Sequence, residues 1–339
     1  MRYRYFPSSF IFLILFFASV TSAQDNDILF EFQVRKNLMG TEFNITALHT
    51  SLDTCKKALL KAMREVERIE SVTSNYRNGT EISIVNDSAF NHPVKVSEEL
   101  FNLLERSIVY SDKYNGIFDI TVGPITEYFG LNSEHPLEIK PDKNKVDSLL
   151  KFTGYKFIEL SRKDLTVRFK KAGMRLDLGG IAKGYAIDRA AEKLKEMGVT
   201  NFMVNGGGDI SLSGFNSERE KWVVGIKNPR NETILASKVI LTDLSIATSG
   251  DYERYKIIDG VRYHHIINPK TGYPPTITQS SSVICPTTEE GVVLSKVAFI
   301  LGAGKLDGNK DISYPYYLID STGLSHYNDL FIPYSEKEK

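Results

Sequence analysis

The chain has 339 residues, with 42 basic and 42 acidic side chains that give a formal net charge of zero. This balance excludes the basic footprint of a nucleic-acid-binding protein. The length permits one large domain or two closely joined ones. Cys55 and Cys285 lie far apart in apolar surroundings. We expect two buried free thiols, with a disulfide as the alternative, and no zinc site, because histidines at a suitable spacing are missing.

The N-terminus has the pattern of a secretory signal peptide. Two arginines precede an apolar run over residues 10–20, and Thr21 and Ala23 form a small-residue cleavage site. We expect 1–23 to be removed and 24–339 to form the exported body of the protein. The alternative is an uncleaved anchor, although the run is shorter than the roughly 20 residues that span a bilayer. No cysteine follows the run, so a lipid anchor is not supported.

Strand and helix patterns alternate along the rest of the chain. Strands are predicted from alternating apolar residues, and helices from three- and four-residue apolar spacing with capping residues such as Ser51 and Ser97. Helices and antiparallel hairpins follow one another without a regular βαβ order, which predicts an α+β fold. The predicted elements are strands over 29–36 and 41–49 with a turn or kink at Gly40, helices over 51–69, 97–115 and 182–197, strands over 201–204, 221–226 and 237–248, a hairpin over 255–267 turning at Asp259-Gly260, a buried helix over 289–302 and a hairpin over 314–327.

A strand-to-helix turn at Arg175–Asp188, RLDLGGIAKGYAID, is the first candidate binding element. A helix N-terminus presents free N–H groups and the positive end of a dipole, which suits a phosphate. The two glycines let the backbone approach a ligand, and Lys183 adds a charge. The segment is neither a Walker loop nor a Rossmann fingerprint. The alternative is a tight turn whose glycines serve packing alone.

Further glycine-rich and turn-rich segments follow. Three successive glycines in NGGGDI, Asn205–Ile210, are unusual in a packed core, and they predict a surface close to a ligand, with Asp209 facing it or bracing the turn. The alternative is a flexible hairpin. Strand alternation puts His264 and His265 on opposite faces, and a strand histidine is more often structural than catalytic. Together these segments predict a phosphate-bearing ligand.

Seven segments, in order, resemble the signatures of the ApbE family, the FAD:protein FMN transferases. They are MGTEFNI, SNYRNGTEISIVN, FDITVGP, LDLGGIAKGYAID, VNGGGDI, ATSGDYERY and HHIINPKTGYP. The resemblance covers nearly all of the exported chain. It implies a two-lobed α+β fold, with antiparallel sheets flanked by helices and an FAD site between the lobes. In this family a threonine or serine hydroxyl of a target protein attacks the phosphorus of the FMN half of FAD, and AMP leaves.

The resemblance also assigns roles to residues. It implies that His265 is the general base, a role that suits the unperturbed pKa of histidine. The family aspartate after this histidine is replaced by Asn268, and Lys183 would lie near the pyrophosphate. The implied FAD contacts are Met39, Tyr76, Ile117, Phe118, Asp119, Gly179, Tyr185 and Ile267.

The sequence departs from the family at its magnesium site. By resemblance, an aspartate and a threonine of the late helix hold Mg²⁺ together with the backbone carbonyl of Ala182. Here Val292 and Lys296 stand at those two positions. Magnesium takes oxygen ligands, so valine cannot bind it and lysine would repel it. Mg²⁺ is expected for the family and is in doubt for this chain.

Several interpretations of this departure are open. Lys296 could place its ammonium group where the metal sits and neutralise the diphosphate, which makes it a candidate catalytic residue. The protein could instead be a non-catalytic FAD-binding protein, or an FAD pyrophosphatase that releases FMN and AMP to water. A slipped alignment would make Lys296 a surface lysine, although neither Glu289 nor Glu290 has a threonine or serine four residues later.

We therefore expect an exported FAD:protein FMN transferase. Its expected protein partners are flavin-carrying subunits of membrane redox complexes, such as a sodium-pumping quinone reductase. The expected location is the periplasm, with membrane association left open.

Overall fold

A computed structural model describes residues 12–14, 29–75, 77–131, 138–306 and 313–336. The predicted signal peptide therefore lies outside the described residues, apart from 12–14, and so does Tyr76. The described strands are β1 Phe12–Ile14, β2 Phe30–Leu38, β3 Thr41–His49, β4 Val94–Lys95, β5 Ile158–Ser161, β6 Thr166–Phe169, β7 Asn201–Gly206, β8 Asp209–Ser213, β9 Trp222–Asn228, β10 Asn231–Leu241, β11 Ser245–Gly250, β12 Tyr255–Ile258, β13 Val261–His264, β14 Thr278–Cys285, β15 Tyr316–Asp320 and β16 Ser325–Tyr327. The described helices are α1 Leu52–Thr73, α2 Glu81–Ser88, α3 Glu98–Lys113, α4 Gly123–Phe129, α5 Lys143–Leu150, α6 Ala182–Glu196, α7 Thr288–Leu301 and α8 Ala303–Leu306.

An antiparallel sheet of nine strands forms the centre of the molecule, in the order β1-β2-β3-β7-β8-β11-β14-β15-β16. Met39 and Gly40 form the turn between β2 and β3, and both have positive φ angles, 50° and 73°. Such two-residue turns match the twist of paired strands. The predicted turn at Gly40 is thus a tight hairpin turn, which fixes the register of Leu38 opposite Thr41.

Helices α1, α6 and α7 cover one face of this sheet. Phe43 and Phe202 of the sheet are fully buried in the same cluster as Leu59 of α1 and Ala190 of α6. Helix α1 begins where its capping residue predicts. The Ser51 hydroxyl accepts a hydrogen bond of 3.3 Å from the Thr54 N–H at the start of this helix.

The opposite face carries a second apolar cluster, in which Trp222 and Val239 of the β9–β10 hairpin pack against Ile246 and Ile284 of the sheet. The prediction of one strand over 237–248 was wrong. Asp243 adopts a left-handed φ of 52°, which divides the segment into β10 in the hairpin and β11 in the main sheet.

Helices α2 and α3, together with the small sheet β4-β6-β5, form a third packed region against α7. The predicted α+β class is confirmed. Both cysteines are free and buried, as predicted, and the Cys55 thiol donates a hydrogen bond of 3.4 Å to the Ala47 carbonyl. A search of the described residues for a helix with the length and hydropathy of a bilayer span found none.

Candidate active site

The turn that starts α6 is the centre of the candidate site. The carboxylate of Asp177 accepts hydrogen bonds of 2.8 Å from the Gly179 N–H and from the Thr126 hydroxyl. These bonds hold the two-glycine turn in place. Ile181, the residue before α6, has an apolar side chain that cannot cap the helix. The Ala182 N–H donates to the Leu178 carbonyl at 2.8 Å. The N–H groups that follow it have no side-chain cap, and an anionic ligand is a suitable partner for them.

Lys183 in the first turn of α6 forms a partly buried ion pair. Its ammonium nitrogen lies 2.6 Å from the Asp209 Oδ2. Asp209 is only 2 % exposed, and its Oδ1 accepts a hydrogen bond of 3.0 Å from the Thr248 N–H. Asp209 therefore braces the site, and Lys183 is held close to the glycine turn.

The three glycines before Asp209 belong to the hairpin between β7 and β8, and whether they face a ligand stays a prediction. Gly207 and Gly208 are the turn residues between β7 and β8, with φ angles of 65° and 95°. A Cβ added to Gly206 would lie 2.9 Å from the Phe43 ring and 3.0 Å from Ile187. The expectation that such glycines do not serve a packed core was therefore wrong for Gly206.

His264 is the last residue of β13 and His265 follows it, and the two side chains have different surroundings. His264 is 1 % exposed, and both of its ring nitrogens are used. Its Nδ1 accepts from the Ile266 N–H at 3.3 Å, so its Nε2 is the nitrogen that donates to the Pro275 carbonyl at 2.9 Å. Its ring meets the Phe299 ring edge-on, and burial lowers its pKa. His264 therefore has a structural role.

His265 faces the charged part of the site. Its Nδ1 is buried, and no described residue makes a hydrogen bond to that atom. Burial lowers the pKa of His265 well below its usual range, and the positive charges of Lys296, Arg254 and Lys183 lower it further. A neutral imidazole with an unused nitrogen can accept a proton. With Thr126, His265 lines a narrow cleft.

Lys296 extends from α7 to the glycine turn. A Cβ added to Gly180 would lie 3.7 Å from the Lys296 Cδ and 3.8 Å from its Cε. Burial lowers the pKa of Lys296 to about 8, with Lys183 and Arg254 adding to the effect and the carboxylates of Asp209 and Asp177 opposing it. Lys296 is therefore not the exposed surface lysine that a slipped alignment would give.

The donor set does not fit a magnesium ion. The Val292 side chain, one turn before Lys296, is a hydrocarbon that is 1 % exposed. Among the described residues, no three His, Cys, Asp or Glu side chains are grouped so that they could hold a metal ion. The two residues at the family's ligand positions thus offer an alkyl group and a cation, where magnesium takes oxygen ligands.

Four of the predicted FAD contacts are apolar or turn residues near this centre. Phe118 lies against the glycine turn, where a Cβ on Gly180 would be 3.0 Å from its ring. Ile117 packs beside Ile266 and Phe299, and Ile267 packs in the cluster of α4 and α5. The backbone N–H of Met39 donates a hydrogen bond of 2.7 Å to the Glu70 carboxylate.

Two predicted contacts use their polar groups elsewhere. The buried Asp119 carboxylate accepts hydrogen bonds from the N–H and hydroxyl groups of Thr121 and from the Tyr155 N–H, at 2.6–2.9 Å. It therefore organises its own loop, and burial raises its pKa. The Tyr185 hydroxyl donates to Glu99 at 2.7 Å, with the Arg106 guanidinium 5.2 Å from the centre of its ring. Burial raises the pKa of Tyr185 as well.

Two residues of the site were not singled out from the sequence. Arg254 donates a hydrogen bond of 2.7 Å to the Gly40 carbonyl, which links the segment after β11 to the β2–β3 turn. Its charge acts on both His265 and Lys296. Asp177 anchors the glycine turn. The only signal for either residue was its place within a glycine-rich or turn-rich segment.

Comparison with known proteins gives a consistent result. The sequence profile of the ApbE family matches residues 39–308. A Vibrio cholerae FAD:protein FMN transferase is 32 % identical over 238 residues, which cover 70 % of this chain and 71 % of that protein. A Haemophilus influenzae FAD:protein FMN transferase is 31 % identical over 277 residues, covering 79 % of this chain and 80 % of that protein.

Solved structures agree with this result. The ApbE protein of Thermotoga maritima has a TM-score of 0.84 at 29 % identity, covering 91 % of this chain and 100 % of its own. The flavin transferase ApbE of Vibrio cholerae has a TM-score of 0.81 at 26 % identity, covering 90 % of this chain and 99 % of its own. The predicted resemblance is confirmed: this chain belongs to the ApbE family.

Proposed function

We propose that this protein is an FAD:protein FMN transferase that moves FMN from FAD to a threonine or serine hydroxyl of another protein. The observation that carries the proposal is the surroundings of His265. Its buried Nδ1 has no hydrogen-bond partner among the described residues, and burial with the charges of Lys296, Arg254 and Lys183 favours its neutral form. The activity named for the family relatives supports the same reaction. Neither observation favours a non-catalytic FAD-binding protein or an FAD pyrophosphatase.

The site has a charged part and an apolar part, and each would bind a different part of FAD. We assign its diphosphate to the first-turn N–H groups of α6 and to the ammonium groups of Lys183 and Lys296. We assign its rings to the apolar surfaces of Phe118 and the neighbouring predicted contacts, together with the backbone at Gly179. Asp119 and Tyr185 act on this surface indirectly, because their polar groups bind Thr121, Tyr155 and Glu99.

The transfer step requires a proton acceptor and stabilisation of negative charge. The oxygen of the acceptor hydroxyl bonds to the phosphorus of the FMN half, and the bond from that phosphorus to the bridging oxygen breaks. AMP leaves with the bridging oxygen and its electron pair, and the hydroxyl proton passes to His265. The nearby cations stabilise the charge that develops on the phosphoryl oxygens.

The low pKa of His265 fits this role in a specific way. Because burial and neighbouring cations favour the neutral imidazole, the base is ready to accept a proton at neutral pH. The diphosphate carries negative charge, so FAD offsets the same cations when it binds. Binding should therefore raise the pKa of His265 toward the operating pH, where a general base is most effective.

The proposal also covers the protein that accepts FMN and the compartment in which the enzyme works. The relatives' name specifies a protein as acceptor, and we assign this role to flavin-carrying subunits of membrane redox complexes. The signal-peptide pattern over residues 1–23 supports export to the periplasm, where an exported domain of such a subunit would meet the enzyme.

An assay with two readouts tests the function. Residues 24–339 are incubated with FAD, with or without a threonine-bearing flavinylation domain, and the AMP released and the intact mass of the domain are measured. We expect AMP only when the domain is present, in equal amount to the FMN added to it. AMP release without the domain would identify a pyrophosphatase. Retained FAD without AMP, across several acceptor domains, would identify a binding protein.

A further inference from the structure

Lys296 is held over the FAD-diphosphate end of the site by the packing of two helices. α7 crosses α6 so closely that a Cβ on Gly184 would lie 2.5 Å from the Thr288 carbonyl oxygen. From this contact α7 runs two further turns to Lys296, while Gly180 lies four residues before Gly184, in the turn that precedes α6. The Lys296 stem therefore lies on the glycine turn because of the helix crossing.

The Lys296 ammonium has no close counter-ion within the described part of the chain. No described residue makes a hydrogen bond to it or an ion pair within 4.0 Å. The nearest relevant carboxylates are committed to other partners. Asp209 binds Lys183 and the Thr248 N–H, and Asp177 binds the Gly179 N–H and the Thr126 hydroxyl. Burying a cation that has no counter-ion costs free energy, and a bound anion would offset this cost.

The neighbouring charges identify the chemical class of that anion. The positive charges of Lys183 and Arg254 lie close enough to Lys296 to lower its pKa, and the helix N-terminus adds a partial positive charge. A diphosphate has two negative charges and several acceptor oxygens, which match this arrangement. Within the described residues no group of three His, Cys, Asp or Glu side chains could hold a divalent metal, and Val292 presents a buried alkyl group.

We infer that the Lys296 ammonium binds the FAD diphosphate directly, as a cation of the chain itself that replaces a divalent metal ion. The inference rests on the proposed function, since it names the phosphate-binding residue of the same site. A lysine can serve here because it acts as a point charge on phosphate. It also makes FAD binding independent of the magnesium concentration.

Fluorescence titration of FAD tests the inference with matched variants. The proteins are the wild type, Lys296→Met, Lys296→Arg and Lys305→Met, each titrated with Mg²⁺ and with EDTA. Lys305 is an exposed lysine of α8, so its replacement removes the same charge outside the site. We expect the wild type and Lys305→Met to bind FAD equally in both buffers. Lys296→Met should raise the Kd by about 10- to 100-fold in both, and Lys296→Arg should restore most of the affinity.

A thermal unfolding measurement separates binding from structure. Because Lys296 carries an unpaired, partly buried charge, Lys296→Met without FAD should unfold at the same temperature as the wild type or a higher one. A lower unfolding temperature would indicate a structural role. A third variant, Val292→Asp with Lys296→Thr, should bind FAD tightly only with Mg²⁺.

The outcomes distinguish this inference from the proposed function. Unchanged FAD affinity in Lys296→Met, or wild-type affinity that collapses in EDTA, would overturn the inference. Tight FAD binding with the expected Lys296 effect, but no FMN transfer to any acceptor, would overturn the proposed function and leave the inference standing. Absence of FAD binding by the wild type would overturn both.

Discussion

The Lys183 ammonium lies 2.6 Å from the Asp209 carboxylate, and this ion pair joins the first turn of α6 to the first residue of β8. The pair places one cation and one carboxylate side by side where the diphosphate is proposed to bind. Asp209 is also fixed by the Thr248 N–H. Its charge therefore stays in the site even when Lys183 is removed, which makes the pair open to a double-mutant test.

Replacing Lys183 should weaken FAD binding, and a second substitution at Asp209 should partly restore it. In Lys183→Ala the buried Asp209 carboxylate faces the diphosphate without a counter-ion, so we expect the Kd for FAD to rise about 10- to 100-fold. The free energy of unfolding should fall by about 3 kcal/mol. Adding Asp209→Asn should recover part of both losses, measured by FAD titration and urea unfolding. A double variant that binds FAD more weakly than Lys183→Ala would contradict this reading.

The two adjacent histidines should respond differently to substitution. His265→Asn removes the proposed proton acceptor, so FMN transfer should slow about 10²- to 10⁴-fold, while FAD affinity and the unfolding temperature change little. His264→Asn breaks the contacts with Pro275 and Ile266, so we expect a free energy of unfolding about 2–3 kcal/mol lower. Transfer rate, FAD titration and urea unfolding check both variants. The assignment fails if His265→Asn retains full transfer activity.

FAD binding should depend on pH through Lys296. The pKa of Lys296 is lowered to about 8 in the free protein, so its ammonium is present below this pH and is lost as the pH rises through it. FAD affinity should therefore fall as the pH rises above about 8, because the diphosphate then loses the Lys296 ammonium. The charged groups that act on Lys296 are Lys183, Arg254, Asp177 and Asp209.

The control for this dependence is Lys296→Arg, since an arginine keeps its charge throughout this range. The FAD affinity of this variant should not fall above about pH 8. A decline of equal size in the variant would assign the effect to another group.

The close crossing of α6 and α7 predicts a sensitive glycine. In Gly184→Ala the new methyl group would meet the Thr288 carbonyl and the Glu289 Cα, so we expect unfolding free energy to fall by about 1–3 kcal/mol. FAD affinity should fall with it, because α7 carries Lys296. Gly304→Ala is the matched control. No described atom lies within 4 Å of a Cβ added there, and it should be neutral or slightly stabilising in urea unfolding.

Local patterns predicted most of the elements because their signals are contained in a few adjacent residues. Ser51 and Ser97 cap their helices as expected. The turn at Asp259 and Gly260 joins β12 to β13. The short helix α2 was missed, because eight residues carry little periodic signal.

The candidate site was less predictable, because distant residues decide it. Alternation separates His264 from His265 but does not say which one has both ring nitrogens in internal hydrogen bonds. The contacts of His264 with Pro275 and Ile266 settle that question. Likewise, Gly206 is required by Phe43, a residue of another strand.

Intact-mass spectrometry of an acceptor domain in EDTA is the most direct test of the central claim, that this chain transfers FMN without a bound metal ion. The domain is incubated with FAD and the protein in EDTA, with a parallel sample in Mg²⁺. We predict that the acceptor gains the mass of FMN to the same extent in both. FMN addition only in the Mg²⁺ sample, or no addition in either sample while FAD remains bound, would contradict the account.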